Sequence, residues 1–537
     1  MIPARQIWPE DFAERYRRLG YWRGETFGAL LRARAAADPA HLAVVGGCDR
    51  WSYADLDARA DALAAGFLRL GLVPGERVLL QLGNEARFLS LVFGLFRAGL
   101  LPVFALPAHR RTEIRHLITR AEAAACVVRD TIDGFDHRGL AREMRTLCPG
   151  LRHVVVAGDA ADCVPLDQLE AEAPRDLPER SPSEVAFLQL SGGSTGLPKL
   201  IPRTHDDYIY SLRGSAAICG LGRDSVYLTA LPAAHNFPMS SPGSLGTLHA
   251  GGTVVMAPSA SPEEAFALIA RERVTITGLV PPLALLWAEA APGLPHDLSS
   301  LKVLQVGGAK LTPAMARRIV AAFGPRLQQV FGMAEGLVAY TRLDDDPDRV
   351  LETQGRPISP DDELLVVDPD DRPVPPGTPG ALLTRGPYTI RAYHDDDAAN
   401  AAAFTPDGFY RTGDVVIMRP DGYLSVQGRL TDRINRGGEK FSPEEVEDHL
   451  LAHPQVRDAA VVSVPDPVWG ERACAFVLPR DDAPTARALK AWLTERGIAA
   501  FKIPDRIVFV AAFPETAVGK TSRRDLREAL RKSLATT

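Results

Sequence analysis

"EVAFLQLSGGSTGLPK", residues 184–199, decides how the rest of the chain is read. Its first half is a short apolar run between polar residues, the pattern of a buried strand. Its second half packs Gly192, Gly193 and Gly196 together with Ser191, Ser194, Thr195 and Lys199. The glycines begin where the strand ends. At the carboxyl end of a strand in a doubly wound sheet, glycines let backbone N–H groups approach an anion closely, while hydroxyls and a lysine add donors and charge. The stretch therefore predicts an α/β sheet carrying a phosphate-holding loop.

Two other motifs compete for the same residues. A Walker loop needs Lys-Ser/Thr directly after its last glycine, opening a helix, but Gly196 is followed by Leu197, Pro198 and Lys199. Gly192 to Gly196 also matches the Gly-x-Ser-x-Gly turn of serine hydrolases, with Ser194 as nucleophile. That turn runs straight into a helix, which Pro198 and the Leu200-Ile201-Pro202 stretch oppose. A plain glycine turn is the third alternative, and the signals further along the chain weigh against it.

At 537 residues the chain is too long for one core and predicts three or four units. Hydrophobic residues make up 46% and charged ones 24%, with a net charge of −6, so neither nucleic acid nor an anionic membrane is an expected partner. Cys48, Cys126, Cys148, Cys163, Cys219 and Cys474 form no C-x-x-C pair, which fits neither a disulfide scaffold nor a zinc site and suits a reducing cytoplasm. The N-terminus has no apolar core of signal-peptide length. The membrane-like stretch from Phe88 to Ala108 is broken by Arg97, Gly99, Pro102 and Pro107, and reads as a buried helix followed by a buried strand.

From about Thr26 to Pro325, helical patterns (53–70, 261–273) alternate with short apolar runs (77–81, 253–256, 303–306), as in parallel α/β sheets. Between about 350 and 428 the texture changes to short strands separated by Pro/Gly/Asp turns, a small all-β unit. After Gly428 an α+β unit of domain size follows. The expected boundary is 428/429.

The loop then joins other segments in fixed order: Phe331-Gly332-Met333-Ala334-Glu335, Tyr410-Arg-Thr-Gly-Asp414, Gly428-Arg429, Asn435-Arg436-Gly437-Gly438-Glu439-Lys440 and Val518-Gly519-Lys520. With them the chain resembles the adenylate-forming superfamily of acyl-CoA synthetases, luciferases and nonribosomal-peptide adenylation domains. Trp8 to Tyr16, Gly20 to Thr26 and His235-Asn236-Phe237-Pro-Met-Ser-Ser241-Pro-Gly resemble its stand-alone aryl-acid adenylating branch, which serves siderophore assembly. The resemblance implies a large N-terminal domain, 1–428, of two doubly wound αβ subdomains to about 345 plus a β subdomain over about 350–428. A mobile C-terminal domain, 429–537, would hinge near Thr431, where related aryl enzymes commonly carry Lys or Asp.

The resemblance also implies roles. Residues 191–196 and Lys199 would hold ATP phosphates. Gly307, Gly308, Ala309, Phe331, Gly332 and Met333 would border the nucleotide, with Phe331 offering a flat apolar face to the purine. Glu335 would be the Mg²⁺ ligand, a hard oxygen beside phosphates. Asp414 would accept both ribose hydroxyls, and Arg429 would touch the ribose. Lys520 would be the adenylation lysine, its compact charge matched to that developing at the α-phosphorus. Gly437, Gly438 and Lys440 would face an acceptor tunnel.

For the acid, His235 has a counterpart beside the substrate carboxylate. An Asn236 amide can bond an ortho hydroxyl, Phe237 would wall the ring, Gly308 would border it, and Ser241 would face the next ring carbon. Serine at 241 and valine at 338 point to 2,3-dihydroxybenzoate. Phe237 where Tyr is common and Ala339 where Asn is usual keep salicylate and 3-hydroxypicolinate open. An aryl acid, with a pKa of about 3 to 4, is already ionised at neutral pH, so placement and charge suffice. The implied reaction is attack of that carboxylate on ATP, then transfer to the phosphopantetheine thiol of an aryl carrier protein. A general aryl-CoA ligase, a serine hydrolase and a non-catalytic nucleotide sensor are the alternatives.

Overall fold

The computed structural model describes residues 8–173, 176–191, 197–436, 439–466, 470–480, 482–516 and 519–535. Two parallel-type sheets dominate the first 360 residues. In the larger, strands Leu327–Gly332, Val303–Gly307, Ile276–Leu279, Val226–Thr229, Thr253–Met256 and Leu42–Gly46 run parallel, with antiparallel strands added at both edges. In the other, Val185–Leu190 lies beside Leu101–Phe104, Arg77–Gln81, Ala125–Arg129 and His153–Ala157 in parallel, and Leu200–Thr204 pairs it antiparallel. Strands such as Arg77–Gln81 and Thr253–Met256 are buried at every position, as parallel strands covered by helices on both faces require.

The opening stretch thus forms a strand, then a loop, then a second strand rather than a helix. Ser191 N–H donates to the Lys199 carbonyl and Lys199 N–H to Ser191 Oγ, both at 3.0 Å, closing the mouth of the loop. The helix begins only at His205, where Thr204 and Asp207 cap each other reciprocally. One turn earlier, the buried Arg203 guanidinium pairs with Asp207 and donates to the Ala334 and Tyr388 carbonyls at 2.7 and 3.0 Å. Few buried charges are so fully partnered, and these bonds tie the phosphate-loop strand to the Glu335 turn.

A four-stranded antiparallel sheet follows, Glu363–Val367, Pro379–Arg385, Tyr410–Met418 and Leu424–Arg429. The last sheet is built on the long hairpin Val456–Asp466 and Gly470–Pro479, with Ile434–Arg436, Glu439–Phe441 and Arg506–Phe509 attached and helices Pro443–Leu451, Ala486–Glu495 and Arg523–Ala535 packed on it. Its contacts with the preceding sheets include Ser442 Oγ donating to the Gln427 carbonyl at 2.6 Å and Arg318 donating to the Arg457 carbonyl at 3.1 Å. Glu289 accepts from both Arg318 and Arg457. In this orientation Lys520 reaches the large sheet. Among the described residues no helix is long and apolar enough to cross a membrane.

Candidate active site

Three strand ends and one loop of the C-terminal unit converge. Strand Val303–Gly307 ends at Gly307, where a Cβ would come within 2.5 Å of the Val330 carbonyl. Gly308 follows with φ +81°, a left-handed conformation that leaves its face bare, and Gly308 and Ala309 are both exposed. Lys520 occupies that bare face: its Nζ lies 3.2 Å from where a Gly308 Cβ would stand. Burial and the Arg429 guanidinium lower the Lys520 ammonium to about 8, opposed by the Asp414 carboxylate.

Asp414 is 6% exposed and faces Arg429 directly across the strand pair. Its Oδ1 accepts from Arg429 Nε at 2.9 Å, while Arg429 Nη1 donates to the Thr412 carbonyl at 3.0 Å. Burial still raises Asp414 to about 6, with Arg429 opposing and the Glu335 charge adding to the rise. Glu335 sits in the turn between Leu327–Gly332 and Val338–Tyr340, 7% exposed. Its Oε1 accepts from the Tyr393 hydroxyl at 2.9 Å, and that hydroxyl lies 3.1 Å from the Tyr410 hydroxyl. Lys199 Nζ sits over the Tyr393 ring at 4.6 Å. One oxygen of a lone, held carboxylate thus remains for a hard cation that keeps its other positions for phosphate oxygens and water, so the residues fit Mg²⁺.

At the other end, His235 caps the short helix Asn236–Ser240, its Nδ1 accepting from the Phe237 N–H at 3.3 Å. Burial and the Lys520 charge push the imidazole down to about 3, so it is neutral with its proton on Nε2, a donor. Asn236 Oδ1 accepts from the Tyr208 hydroxyl at 2.7 Å. The Phe237 ring lies over Gly278, where a Cβ would meet it at 3.2 Å and the Tyr227 hydroxyl at 3.4 Å. Ser241 is buried beside the Tyr340 hydroxyl, and Val338 is buried on its strand with its Cγ2 facing Gly332.

The sequence-expected residues Lys520, Gly308, Asp414, Arg429, Glu335, His235, Asn236, Phe237, Ser241 and Val338 therefore fall into one region. Phe331 is half-buried and packs against the apolar cluster of the four-stranded sheet through Leu337 and Val366. Met333 packs against the same cluster, and Gly332 is exposed. Gly192, Gly193, Ser194, Thr195, Gly196, Gly437 and Gly438 lie outside the described residues; Lys440 lies on strand Glu439–Phe441. The supporting residues Tyr208, Tyr393 and Arg203 escaped sequence reading. A tyrosine on an apolar helix face looks like core, and only Tyr410, inside its motif, carried a local signal.

The AMP-binding enzyme family matches residues 31–394, and the AMP-binding enzyme C-terminal domain matches 445–520. The chain is 59% identical to 2,3-dihydroxybenzoate-AMP ligase of Bacillus subtilis (strain 168), over 99% of each chain. It is 48% identical to the salicyl-AMP ligase / salicyl-S-ArCP synthetase of Mycobacterium tuberculosis, over 96% of this chain and 93% of that one. Among solved structures, the apo structure of MbtA from Mycobacterium smegmatis superposes with a TM-score of 0.77 at 47% identity, covering 98% of both chains.

Proposed function

The chain belongs to the AMP-binding enzyme family, and on that premise we propose that it adenylates an aryl carboxylic acid, 2,3-dihydroxybenzoate, and passes the acyl group to a carrier-protein thiol. One observation carries the reading: the Lys520 ammonium lies against Gly308 within electrostatic reach of both Asp414 and His235, so the acid pocket and the nucleotide-holding carboxylate share one charged neighbour. The ionised acid enters beside Phe237, with His235 Nε2–H directed at its carboxylate and Asn236 at its ortho hydroxyl. ATP lies along residues 191–199, its adenosine beside Gly307, Gly308, Ala309 and Phe331, its ribose diol on Asp414 with Arg429 alongside.

A carboxylate oxygen then bonds to the α-phosphorus, the bond from that phosphorus to the bridging oxygen breaks, and pyrophosphate leaves with the electron pair. Lys520 holds the charge that grows on the α-phosphate oxygens. When bound at Glu335, Mg²⁺ supplies neutralisation of phosphate charge. No proton has to move, so rate rests on alignment. In the second step the C-terminal unit rotates about a hinge near Thr431 and brings the loop at 437–440 to the acyl group. A phosphopantetheine thiolate attacks that carbon and AMP leaves. The reaction places the enzyme in the cytoplasm, where ATP is abundant.

Ser241 and Val338 favour the dihydroxy acid, and the 59%-identical relative is named for it. Salicylate is the second reading, favoured by the name of the 48%-identical relative. ATP–pyrophosphate exchange with 2,3-dihydroxybenzoate, salicylate, 3-hydroxypicolinate, benzoate and a fatty acid decides between them. Preference for 2,3-dihydroxybenzoate supports the assignment, preference for salicylate overturns the role of Ser241, and exchange with none overturns aryl-acid activation. Loading of free coenzyme A in preference to an aryl carrier protein would remove the carrier step.

A further inference from the structure

The acid end of the site contains a chain of hydrogen-bonding groups that begins on the backbone. Leu190 N–H donates to Gln189 Oε1 at 2.9 Å. A main-chain N–H can only donate, so this end of the Gln189 amide is the acceptor and Nε2 is the donor. Nε2 is buried beside the Tyr208 hydroxyl, in no bond of good geometry elsewhere. Tyr208 is 1% exposed, and its hydroxyl proton goes to Asn236 Oδ1. Ser240 Oγ makes a longer contact with the same oxygen at 3.4 Å. Asn236 Nδ2, on a part-exposed residue, is left without a partner among the described residues.

We propose that this relay, from Leu190 N–H through Gln189 and Tyr208 to Asn236, fixes the pocket's polarity: Asn236 presents its NH₂ group, and not its carbonyl, to the ortho substituent. The site then selects aryl acids whose ortho group is a hydrogen-bond acceptor. An ortho hydroxyl meets this condition, because its proton is donated internally to the neighbouring carboxylate and a lone pair faces outward. An ortho amine does not, since its lone pair is conjugated with the ring. One of its N–H bonds serves the carboxylate and the other points at Asn236 Nδ2, donor against donor. Tyr208 and Gln189 are positioning residues, acting through Asn236. The inference rests on the aryl-acid reading above and refines it.

The test is pyrophosphate exchange with two matched pairs, 2-hydroxybenzoate against 2-aminobenzoate and 2,3-dihydroxybenzoate against 2-amino-3-hydroxybenzoate, on wild type, Tyr208→Phe and Gln189→Leu. A mismatched buried donor is expected to lower kcat/KM for the wild-type enzyme about 30-fold for the amino acid of each pair. Tyr208→Phe frees the amide to rotate and is expected to bring the ratio to within about 3-fold, chiefly by gain on the amino acid. Gln189→Leu shifts the ratio in the same direction. A uniform loss on both acids with an unchanged ratio would mark a purely structural role and overturn the relay. If neither variant folds, the wild type alone is decisive: equal use of hydroxy and amino acids overturns the proposal while leaving aryl-acid activation intact. Exchange with none of the four acids overturns both.

Discussion

At the acid end, His235, Asn236, Phe237 and Ser241 sit within seven consecutive residues on one short helix and its flank. At the phosphate end, Glu335, Asp414, Arg429 and Lys520 arrive from a turn, two strands and a loop of the C-terminal unit. The acid end is oriented by neutral hydroxyl and amide groups packed in the large sheets. The phosphate end is held by opposed charges, two of which have displaced pKa values because their solvation has been replaced by one another. The difference follows the chemistry: the acid must be recognised, whereas the charge at phosphorus changes during the reaction and, in the proposed cycle, Lys520 must also leave.

The largest effect is expected where the two ends depend on a single charge. Lys520→Ala should lower the rate of adenylate formation about 10³-fold, the cost of removing one preorganised stabiliser of transition-state charge. Transfer of a preformed aryl adenylate to a carrier thiol should proceed at near the wild-type rate. Single-turnover measurements of both steps check this. Equal loss in both would make Lys520 structural and erase the distinction between the two ends.

Next in size is a substitution confined to the acid end. Asn236→Ala should lower kcat/KM about 100-fold for an ortho-hydroxylated acid yet leave benzoate within a few-fold of wild type, since benzoate never used the amide. The KM for ATP should be unchanged. A shift in KM for ATP as large as that for the acid would show that the two ends are coupled through more than Lys520.

Much of the phosphate end was legible in sequence, because its residues lie in tight local motifs whose glycines and charges are covalent neighbours. Strand 185–190 and the second strand after Pro198 could be read from apolar runs and prolines alone. The supports could not. Tyr208 reaches Asn236 across 28 positions, and Tyr393 reaches Glu335 across 58. Nothing local distinguishes a tyrosine that orients an amide from one that fills a core. Arg203 was equally silent, since its meaning lies in two carbonyls more than 130 residues away. Phe331 was read for the flat face it offers a purine, but periodicity could not reveal that it also closes the core of the four-stranded sheet.

The pH profile should separate the ends at about tenfold per unit on each limb. Asp414 must be ionised to accept two ribose hydroxyls, so kcat/KM for ATP should fall as pH drops through about 6. Lys520 carries charge below about 8 and loses it above, so the same parameter should fall as pH rises through that value. His235, pushed down to about 3, contributes no limb between them. Lys520→Arg should remove the alkaline limb, because guanidinium stays protonated throughout. Persistence of that limb in Lys520→Arg would assign it to another group.

The smallest effect is expected at Tyr393, where the phosphate end most resembles the acid end, a neutral hydroxyl aiming a functional oxygen. Tyr393→Phe removes the 2.9 Å bond to Glu335 Oε1 but keeps the ring under Lys199. A carboxylate that loses one orienting bond keeps its charge, so the rate at saturating Mg²⁺ should fall only about 3-fold, whereas the half-saturating Mg²⁺ concentration should rise about 5- to 10-fold. Direct titration of the nucleotide complex with Mn²⁺, followed by its electron paramagnetic resonance, gives the same comparison without turnover. If Mn²⁺ affinity is unchanged while the rate falls, the hydroxyl serves the Tyr410 side of the contact instead. The orienting-hydroxyl design would then belong to the acid end alone.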